Sequence, residues 1–101
     1  MKSTTQLTLD KLAAEGYRAD IVERRKGPVT KDLFGIIDVL GIRGGETLAV
    51  QTTSRSNLSS RIRKIAESEA ISDIRAAGWE VHVHGWDKKN GEVRCKVVNL
   101  S

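Results

Sequence analysis

The feature that most constrains this chain is the run from Leu33 to Ile42, which is apolar on both faces of an extended chain apart from one acid. Such a strand is typical of the centre of a sheet that other layers cover on both sides. Thr47 to Thr53 follows as an alternating, β-branched strand, and Gly44 and Gly45 between the two segments are typical of a tight turn. The chain is therefore predicted to build a layered fold around this hairpin.

The remaining segments alternate between helical and extended patterns. They are a helix from a cap at Thr5 or Thr8 to about Glu15, a strand from Ala19 to Arg25, a helix with Leu58, Ile62 and Ile65 on one face, a helix from Ala70 to Ala77, and strands Trp79 to Trp86 and Glu92 to Leu100 flanking an Asn90-Gly91 turn. The order α-β-β-β-α-(α)-β-β predicts an α/β (α+β) fold with a central mixed sheet flanked by helices. At 101 residues, we expect one domain over residues 1–101.

Composition limits the classes of function. No apolar run is long enough to span a membrane, and Met1 to Leu9 lacks the apolar core of a signal peptide, so a cytoplasmic protein without a membrane partner is expected. The single cysteine, Cys95, excludes an internal disulfide and is expected to be buried. The net charge of +4 favours polyanions as partners. The bases form two acid-free stretches, each of which is either a binding face or an ordinary solvated surface: Arg24, Arg25, Lys26 and Lys31, and Arg55, Arg61, Arg63 and Lys64.

Asp38 is the acid that interrupts the apolar run, where it shares a predicted strand face with Phe34, Ile36, Leu40 and Ile42. Burying an unpaired carboxylate costs several kcal/mol, so such a residue is usually paired, bound to metal or placed at a cleft. If Gly44 and Gly45 are the two turn residues, residue 43 pairs with 46, 41 with 48, and 38 with 51. The sequence therefore predicts that Asp38 faces Gln51.

Two interpretations of this pair remain open. Both side-chain oxygens could bind one hard cation such as Mg²⁺ or Mn²⁺, which prefers oxygen ligands. Alternatively, Gln51 hydrogen-bonds to Asp38 as a satisfied buried polar pair. His82 and His84 also share a strand face, but without a third ligand at helpful spacing they are expected to pack between strands rather than to chelate a metal.

The element order, an acid on the second strand and an (E/Q)-x-K-like tripeptide on the third together resemble the PD-(D/E)xK nuclease superfamily, which includes Holliday-junction resolvases and virus-type replication-repair nucleases. Lys31 to Asp38 reads KDLFGIID, and Leu48 to Thr53 reads LAVQTT. The pattern is most similar to small, mostly phage-encoded members, and it continues into residues 54–57 and 83–86. The resemblance covers roughly Ile21 to Trp86 and implies a restriction-endonuclease-like α-β-β-β-α-β core with an additional C-terminal strand.

By this resemblance, Asp38 is a catalytic, metal-binding acid and Gln51 takes the position of the usual glutamate. The backbone carbonyl of Thr52 is a further metal ligand. Glu23 or Glu15 would supply an outer carboxylate, and Glu23 is preferred because it shares a strand face with Ile21. Asp32 is expected to cap or support the following loop, with a metal role as the alternative.

The departure from the family pattern is Thr53, which stands where the superfamily places its catalytic lysine. Threonine cannot stabilise the developing charge on the phosphate as an ammonium group does. Some members of the superfamily carry this lysine on the following helix instead. Lys64 is therefore the candidate substitute, and an ordinary solvated Lys64 or a loss of catalysis are the alternatives.

The leading hypothesis is a phage- or mobile-element-type, metal-dependent DNA endonuclease that uses Mg²⁺ or Mn²⁺. The second is a catalytically inactive nucleic-acid-binding module with the same fold, and a third is a protein-interaction module. Superfamily members of this size often work as homodimers, so a homodimer is expected as an alternative to a monomer. The basic residues predicted to guide DNA are Arg24, Lys31, Arg55, Arg61 and Lys64.

Overall fold

The structure, a computed structural model, describes residues 2–101. Its elements in chain order are α1 (Thr4–Ala14), β1 (Arg18–Ile21), β2 (Arg24–Lys26), β3 (Val29–Lys31), β4 (Val39–Arg43), β5 (Glu46–Ser54), a 3-10 turn (Arg55–Asn57), α2 (Leu58–Ala66), α3 (Ile71–Ala76), β6 (Glu80–Lys89) and β7 (Glu92–Asn99). No helix within the described residues is long and apolar enough to cross a membrane.

A five-stranded sheet with the order β1-β4-β5-β6-β7 carries the fold. Its neighbouring strands are antiparallel except for β5 and β6, which are parallel and are connected through α2 and α3. The prediction of a mixed sheet is confirmed. The middle strand of the sheet is β5, however, and not the run from Leu33 to Ile42 that the sequence analysis placed at the centre.

Helices cover both faces of this sheet. On one face, α1 packs through Leu12 against Val39, Leu48 and Val50. On the other face, α2 and α3 contribute to a larger cluster composed of Ile36, Ile37, Ala49, Leu58, Ile65, Ile71, Ile74, Val81 and Val83. Because β5 is covered on both sides, its residues from Leu48 to Thr53 are all buried. This position shields any polar group on β5 from bulk water, except where the helices leave an opening.

The predicted strand from Leu33 to Ile42 is wrong in its first half. Only Val39–Arg43 is a strand, and Leu33 to Ile37 form a turn in which Phe34 and Gly35 have φ of 54° and 78°. Ile36 and Ile37 are apolar because they are buried against the core, and this apolar pattern is also typical of a buried strand. Consequently, Phe34 and Ile36 do not share the strand face of Asp38, and Phe34 is 56% exposed.

The predicted strand from Ala19 to Arg25 is divided in two. β1 pairs with β4 at the edge of the main sheet, whereas β2 pairs with β3 in a separate two-stranded ribbon. Glu23 lies at the break, just after Val22, whose N–H donates to the carbonyl of Asp38 at 2.8 Å. The break therefore carries the chain from the sheet edge into the ribbon beside Asp38.

Several local predictions can be compared directly with the structure. The turn register is confirmed, because Arg43 pairs with Glu46 and Gly41 with Leu48. The second hairpin is confirmed too, with Trp86 opposite Cys95. The cap of α1 is Ser3, whose hydroxyl accepts from the Gln6 N–H, and not Thr5 or Thr8. Cys95 is only partly buried.

Candidate functional site

Most of the polar residues predicted to form the metal site converge on a cleft of about 340 Å³, where the first turn of α1, the ribbon and α2 meet the end of the β4–β5 hairpin. Its walls are largely polar. The lining residues are Thr4, Thr5, Glu23, Thr30, Asp32, Asp38, Gln51, Thr52, Arg61 and Lys64.

Asp38 lies at the bottom of this cleft and is 4% exposed. One carboxylate oxygen, Oδ2, accepts hydrogen bonds from the Gln51 side-chain amide and from the Thr52 backbone N–H, the latter at 2.9 Å. Both donors come from β5, because the β4–β5 register brings Gln51 next to Asp38. The predicted neighbourhood of Asp38 and Gln51 is therefore present.

The environment of Asp38 favours its neutral form. Burial, together with a hydrogen bond shared with Asp32, raises the pKa of its carboxyl group to about 7, whereas the Thr52 N–H and the Gln51 amide act in the opposite direction. The hydrogen-bond donors around Asp38 therefore offset only part of the free-energy cost of burying its charged form. A bound cation would supply the missing compensation.

Three carboxyl groups meet in the cleft. One oxygen each from Glu23, Asp32 and Asp38 lies within 4.8 Å of the other two. Asp32 reaches this position because it begins the 33–37 turn, where its carbonyl accepts from the Gly35 N–H at 2.9 Å. Asp32 is thus a member of the cluster, although the sequence predicts mainly a loop-supporting role for it. Glu15 lies instead on the exposed surface of α1, paired with Lys11 at 2.7 Å.

Lys64 extends from α2 into the same cleft, with its ammonium nitrogen 3.4 Å from Asp32 Oδ2. Thr53 is buried on β5, outside the residues that line the cleft. The lysine beside the carboxyl groups therefore comes from the helix after β5, in the position considered for a relocated lysine.

Two buried polar atoms at the cleft have no hydrogen-bond partner among residues 2–101. They are the side-chain oxygen Oε1 of Gln51, a residue that is 2% exposed, and Nε of Arg61. An unmade hydrogen bond of this kind costs about 1–3 kcal/mol. Gln51 Oε1 can bind a donor or a cation, and Arg61 Nε can bind only an acceptor such as a phosphate oxygen.

A buried hydrogen-bonded network holds α1 against the site. The Thr52 hydroxyl donates to the Thr4 carbonyl, so it can only accept from the hydroxyl of Thr8. The Thr8 oxygen in turn accepts from the Trp86 indole N–H at 2.9 Å, and its remaining partner, Nδ1 of His84 at 3.1 Å, must also donate. This network fixes the first turn of α1 over the cleft. His84 is thus a buried structural residue, as expected.

The predicted DNA-guiding bases are not all at one place. Arg61 and Lys64 line the cleft, whereas Arg24 and Lys31 lie directly opposite each other on the exposed β2–β3 ribbon next to it. Arg55 lies in the 3-10 turn before α2 and does not line the cleft. Two of the five bases are therefore in the cleft, two flank it, and one lies elsewhere on the described surface.

Thr4, Thr5 and Thr30 also line the cleft but were not predicted as site residues. The Thr5 hydroxyl donates to the Glu23 carboxylate at 3.4 Å, so α1 contacts the acidic cluster directly. No motif marks these threonines in the sequence, because only the packing of α1 and of the β2–β3 ribbon around the cleft brings them there. A helix cap placed at Ser3 would have shown that Thr4 and Thr5 begin a helix.

The residues fit a hard cation. Carboxylate and amide oxygens are the ligands that Mg²⁺ and Mn²⁺ prefer, and opposite ligands around Mg²⁺ lie about 4.2 Å apart. The three carboxyl oxygens lie within 4.8 Å of one another, so small side-chain rotations would let them surround one cation, and Gln51 Oε1 is a free acceptor at the same cleft. Comparison of the chain with protein-family models and with curated proteins gives no match.

Proposed function

We propose that this protein is a metal-dependent phosphodiesterase that cleaves DNA, with a restriction-endonuclease-like core of the PD-(D/E)xK type. The observation that carries the proposal is the pair of buried, unpartnered atoms at a cluster of three carboxyl groups. A divalent cation would satisfy Gln51 Oε1, and a phosphate oxygen would satisfy Arg61 Nε. A cation together with a phosphodiester would therefore provide partners for both atoms.

Asp38, Asp32, Glu23 and Gln51 would hold the cation, with the Thr52 carbonyl as a further ligand. Bound Mg²⁺ or Mn²⁺ would supply Lewis-acid activation of water and neutralise charge on the phosphate. The Thr52 N–H holds Oδ2 of Asp38 in place, so the carboxylate is oriented before any ligand arrives. Thr5 likewise restrains Glu23 from the opposite wall.

Lys64 is the proposed catalytic lysine in place of Thr53. Its ammonium group lies 3.4 Å from Asp32, and the Lys64 side chain is 40% exposed, so the ammonium group can move towards a phosphate in the cleft. Fixed positive charge beside a phosphate undergoing attack stabilises the negative charge that develops there. Arg61 would orient the same phosphate through its Nε donor. In this proposal, Lys64 stabilises the developing charge and Arg61 positions the phosphate.

The nucleic acid would approach along the ribbon. Arg24 and Lys31 are exposed and directly opposite each other, an arrangement of like charges that destabilises a strand pair unless a polyanion lies against it. Contacts to phosphates alone carry no sequence information, so this surface supports binding to DNA of any sequence. Two copies related by a two-fold axis would cut both strands of a duplex, and the homodimer remains part of the proposal.

The second candidate function is a nucleic-acid-binding module without catalysis, and Thr53 is the observation that favours it. If Lys64 serves only to neutralise Asp32, no residue performs the charge stabilisation of the family's usual lysine. Such a protein would bind DNA through the same basic residues and would retain binding after Asp38→Asn.

The test compares cleavage of single-stranded, duplex and branched DNA with Mg²⁺, with Mn²⁺ and with chelator. Cleavage should require the cation and should be lost in Asp38→Asn, and Lys64→Gln should reduce it by about a hundredfold or more. Asp73→Asn on α3 and Arg63→Gln on α2 remove the same types of charge from exposed positions and should leave cleavage unchanged. Binding without cleavage on all three DNA forms would establish the second function. Cleavage that persists in Asp38→Asn would refute the role of the cluster in catalysis.

A further inference from the structure

The turn from Leu33 to Ile36 has a backbone that normally requires small or polar residues. Its central residues, Phe34 and Gly35, have φ of 54° and 78°, and the Ile36 N–H donates to the Leu33 carbonyl at 3.2 Å. Two positive φ angles in sequence are the signature of a type I′ turn, for which Asn-Gly is the favoured pair. The β6–β7 hairpin of the same chain uses that pair: Asn90 and Gly91 have φ of 52° and 81°.

Phe34 is therefore a large aromatic residue in a position that favours asparagine. A bulky residue with positive φ is a backbone outlier, and residues in such regions persist where a functional constraint keeps them. Burial in the core does not explain the choice, because Phe34 is 56% exposed; its ring packs against Trp79 in a tilted arrangement with centroids 6.1 Å apart. Further backbone bonds between Leu33 and Ile37 make the turn rigid, so the ring is presented at a fixed place.

Phe34 forms one wall of a hollow of about 220 Å³ directly beside the acidic cluster. The wall is completed by apolar side chains at Val22 and Leu33, by the bases Arg24 and Lys31, and by Asp32, which also belongs to the cleft. Pockets for drug-sized ligands occupy roughly 300–1,000 Å³. The hollow therefore has room for one planar ring system and not for a larger ligand.

We propose that this hollow binds one unpaired nucleobase of a DNA strand whose backbone passes over the acidic cluster. The Phe34 ring would be the stacking surface, and Arg24 and Lys31 would hold the phosphates on either side of that nucleotide. The inference rests on the proposed function, because the shared residue Asp32 places the base next to the phosphate to be cleaved. Among residues 2–101, neither Arg24 nor Lys31 forms an ion pair, so both charges are available to phosphates.

Phe34 borders two hollows, and the charges that line them indicate which one would bind the nucleobase. The other, of about 190 Å³, is lined by Ala70, Asp73, Ile74, Ala77 and Trp79 in addition to Phe34. That lining contains a carboxylate and no base, so a phosphodiester that followed its base there would be repelled. The hollow beside Arg24 and Lys31 has apolar side chains and two bases against the one carboxylate of Asp32, and a positive groove with an aromatic surface is what single-stranded nucleic acids bind.

This assignment narrows the substrate class. In a fully paired duplex, each base is stacked and paired, and moving one into the hollow costs a few kcal/mol. Single-stranded DNA, flaps and junction arms offer unpaired bases without that cost. The protein should therefore prefer DNA with unpaired bases at the cleavage position over a continuous duplex.

The experiment measures binding in chelator by fluorescence anisotropy, so that cleavage plays no part. The probes are a short oligothymidylate and an abasic oligomer of the same length and charge. Wild-type protein should bind the thymidylate more tightly by about 5- to 150-fold, the range of one base stacked on an aromatic side chain. Phe34→Asn should abolish this preference and leave binding to the abasic oligomer unchanged, whereas Phe34→Tyr should retain the preference.

Two controls separate the subsite from general effects. Phe34→Asn should unfold at no lower temperature than the wild type, because asparagine tolerates the positive φ of the turn. Arg24→Gln should weaken binding to both probes by the same factor. Equal binding of both probes by the wild type, a preference that survives Phe34→Asn, or no binding to either would overturn the assignment. Failure of cleavage with Mn²⁺ while the base preference persists would overturn the nuclease proposal alone.

Discussion

The substitution Gln51→Glu tests the acidic cluster because it adds the carboxylate that the resemblance predicts while keeping the size of the side chain. The Gln51 amide now donates to Asp38 Oδ2. In the variant, two carboxyl groups would occupy the same contact. At acidic pH they can share one proton and keep a hydrogen bond, as paired carboxyls do elsewhere. At alkaline pH both must ionise side by side.

The size of the stability loss expected for Gln51→Glu follows from the raised pKa of Asp38. In the wild type, the folded state holds a proton that the unfolded state releases near pH 3.8, so stability falls as pH rises and stops falling near pH 7. In the variant, the pair keeps its proton to higher pH, and stability continues to fall by about 1.4 kcal/mol per pH unit above that point. At about pH 9, two pH units above that point, the variant should therefore be less stable than the wild type by about 3 kcal/mol.

The assay is urea unfolding across this pH range, with and without Mn²⁺. Saturating Mn²⁺ at about a hundred times its dissociation constant stabilises a folded protein by about 2.7 kcal/mol, and the variant should reach saturation at a lower Mn²⁺ concentration. Gln6→Glu is the matched control, because Gln6 also donates to an aspartate, Asp10 at 2.9 Å, but on the exposed surface of α1. Its cost should stay below about 1 kcal/mol and should not respond to Mn²⁺. If Gln51→Glu behaves like Gln6→Glu, the carboxyl groups do not form a cation site.

Three further predictions concern the residues around the site. Thr8→Val leaves the buried donors of His84 and Trp86 unpaired and should reduce the free energy of unfolding by about 3 kcal/mol in urea denaturation, and a loss below about 1 kcal/mol would contradict the network. Burial lowers the pKa of His84 to about 4. As pH falls from 6.5 to 4, the free energy of unfolding of the wild type should therefore fall by about 3 kcal/mol relative to that of His84→Gln in urea denaturation. Parallel pH profiles of the two proteins would contradict this. Arg24→Gln should reduce the slope of log affinity against log salt by about 0.7 for single-stranded DNA, and an unchanged slope would remove Arg24 from the interface.

Local rules were sufficient to predict the core of the site from the sequence. Two glycines in a turn fix the register of an antiparallel hairpin, so the contact between Asp38 and Gln51 follows from counting. The same reasoning predicted the pairing of Trp86 with Cys95 across Asn90-Gly91. Both results depend only on contacts between residues close in the chain.

The contributions of Asp32 and the first turn of α1 could not be obtained in this way. Asp32 joins the cluster only because the chain turns back at Phe34 and Gly35, and the apolar residues around this turn imitate a strand. Thr8 contacts Thr52 and Trp86 across 44 and 78 residues of chain, a distance that no local pattern encodes. Tertiary packing therefore decided which polar residues completed the site.

The most direct test of the central claim is a crystal soaked with Mn²⁺ and measured for anomalous scattering. The account predicts one strong peak in the cleft, bound by oxygens of Glu23, Asp32 and Asp38 and by Oε1 of Gln51. No peak in the cleft, or a peak whose ligands do not include Asp38, would contradict it.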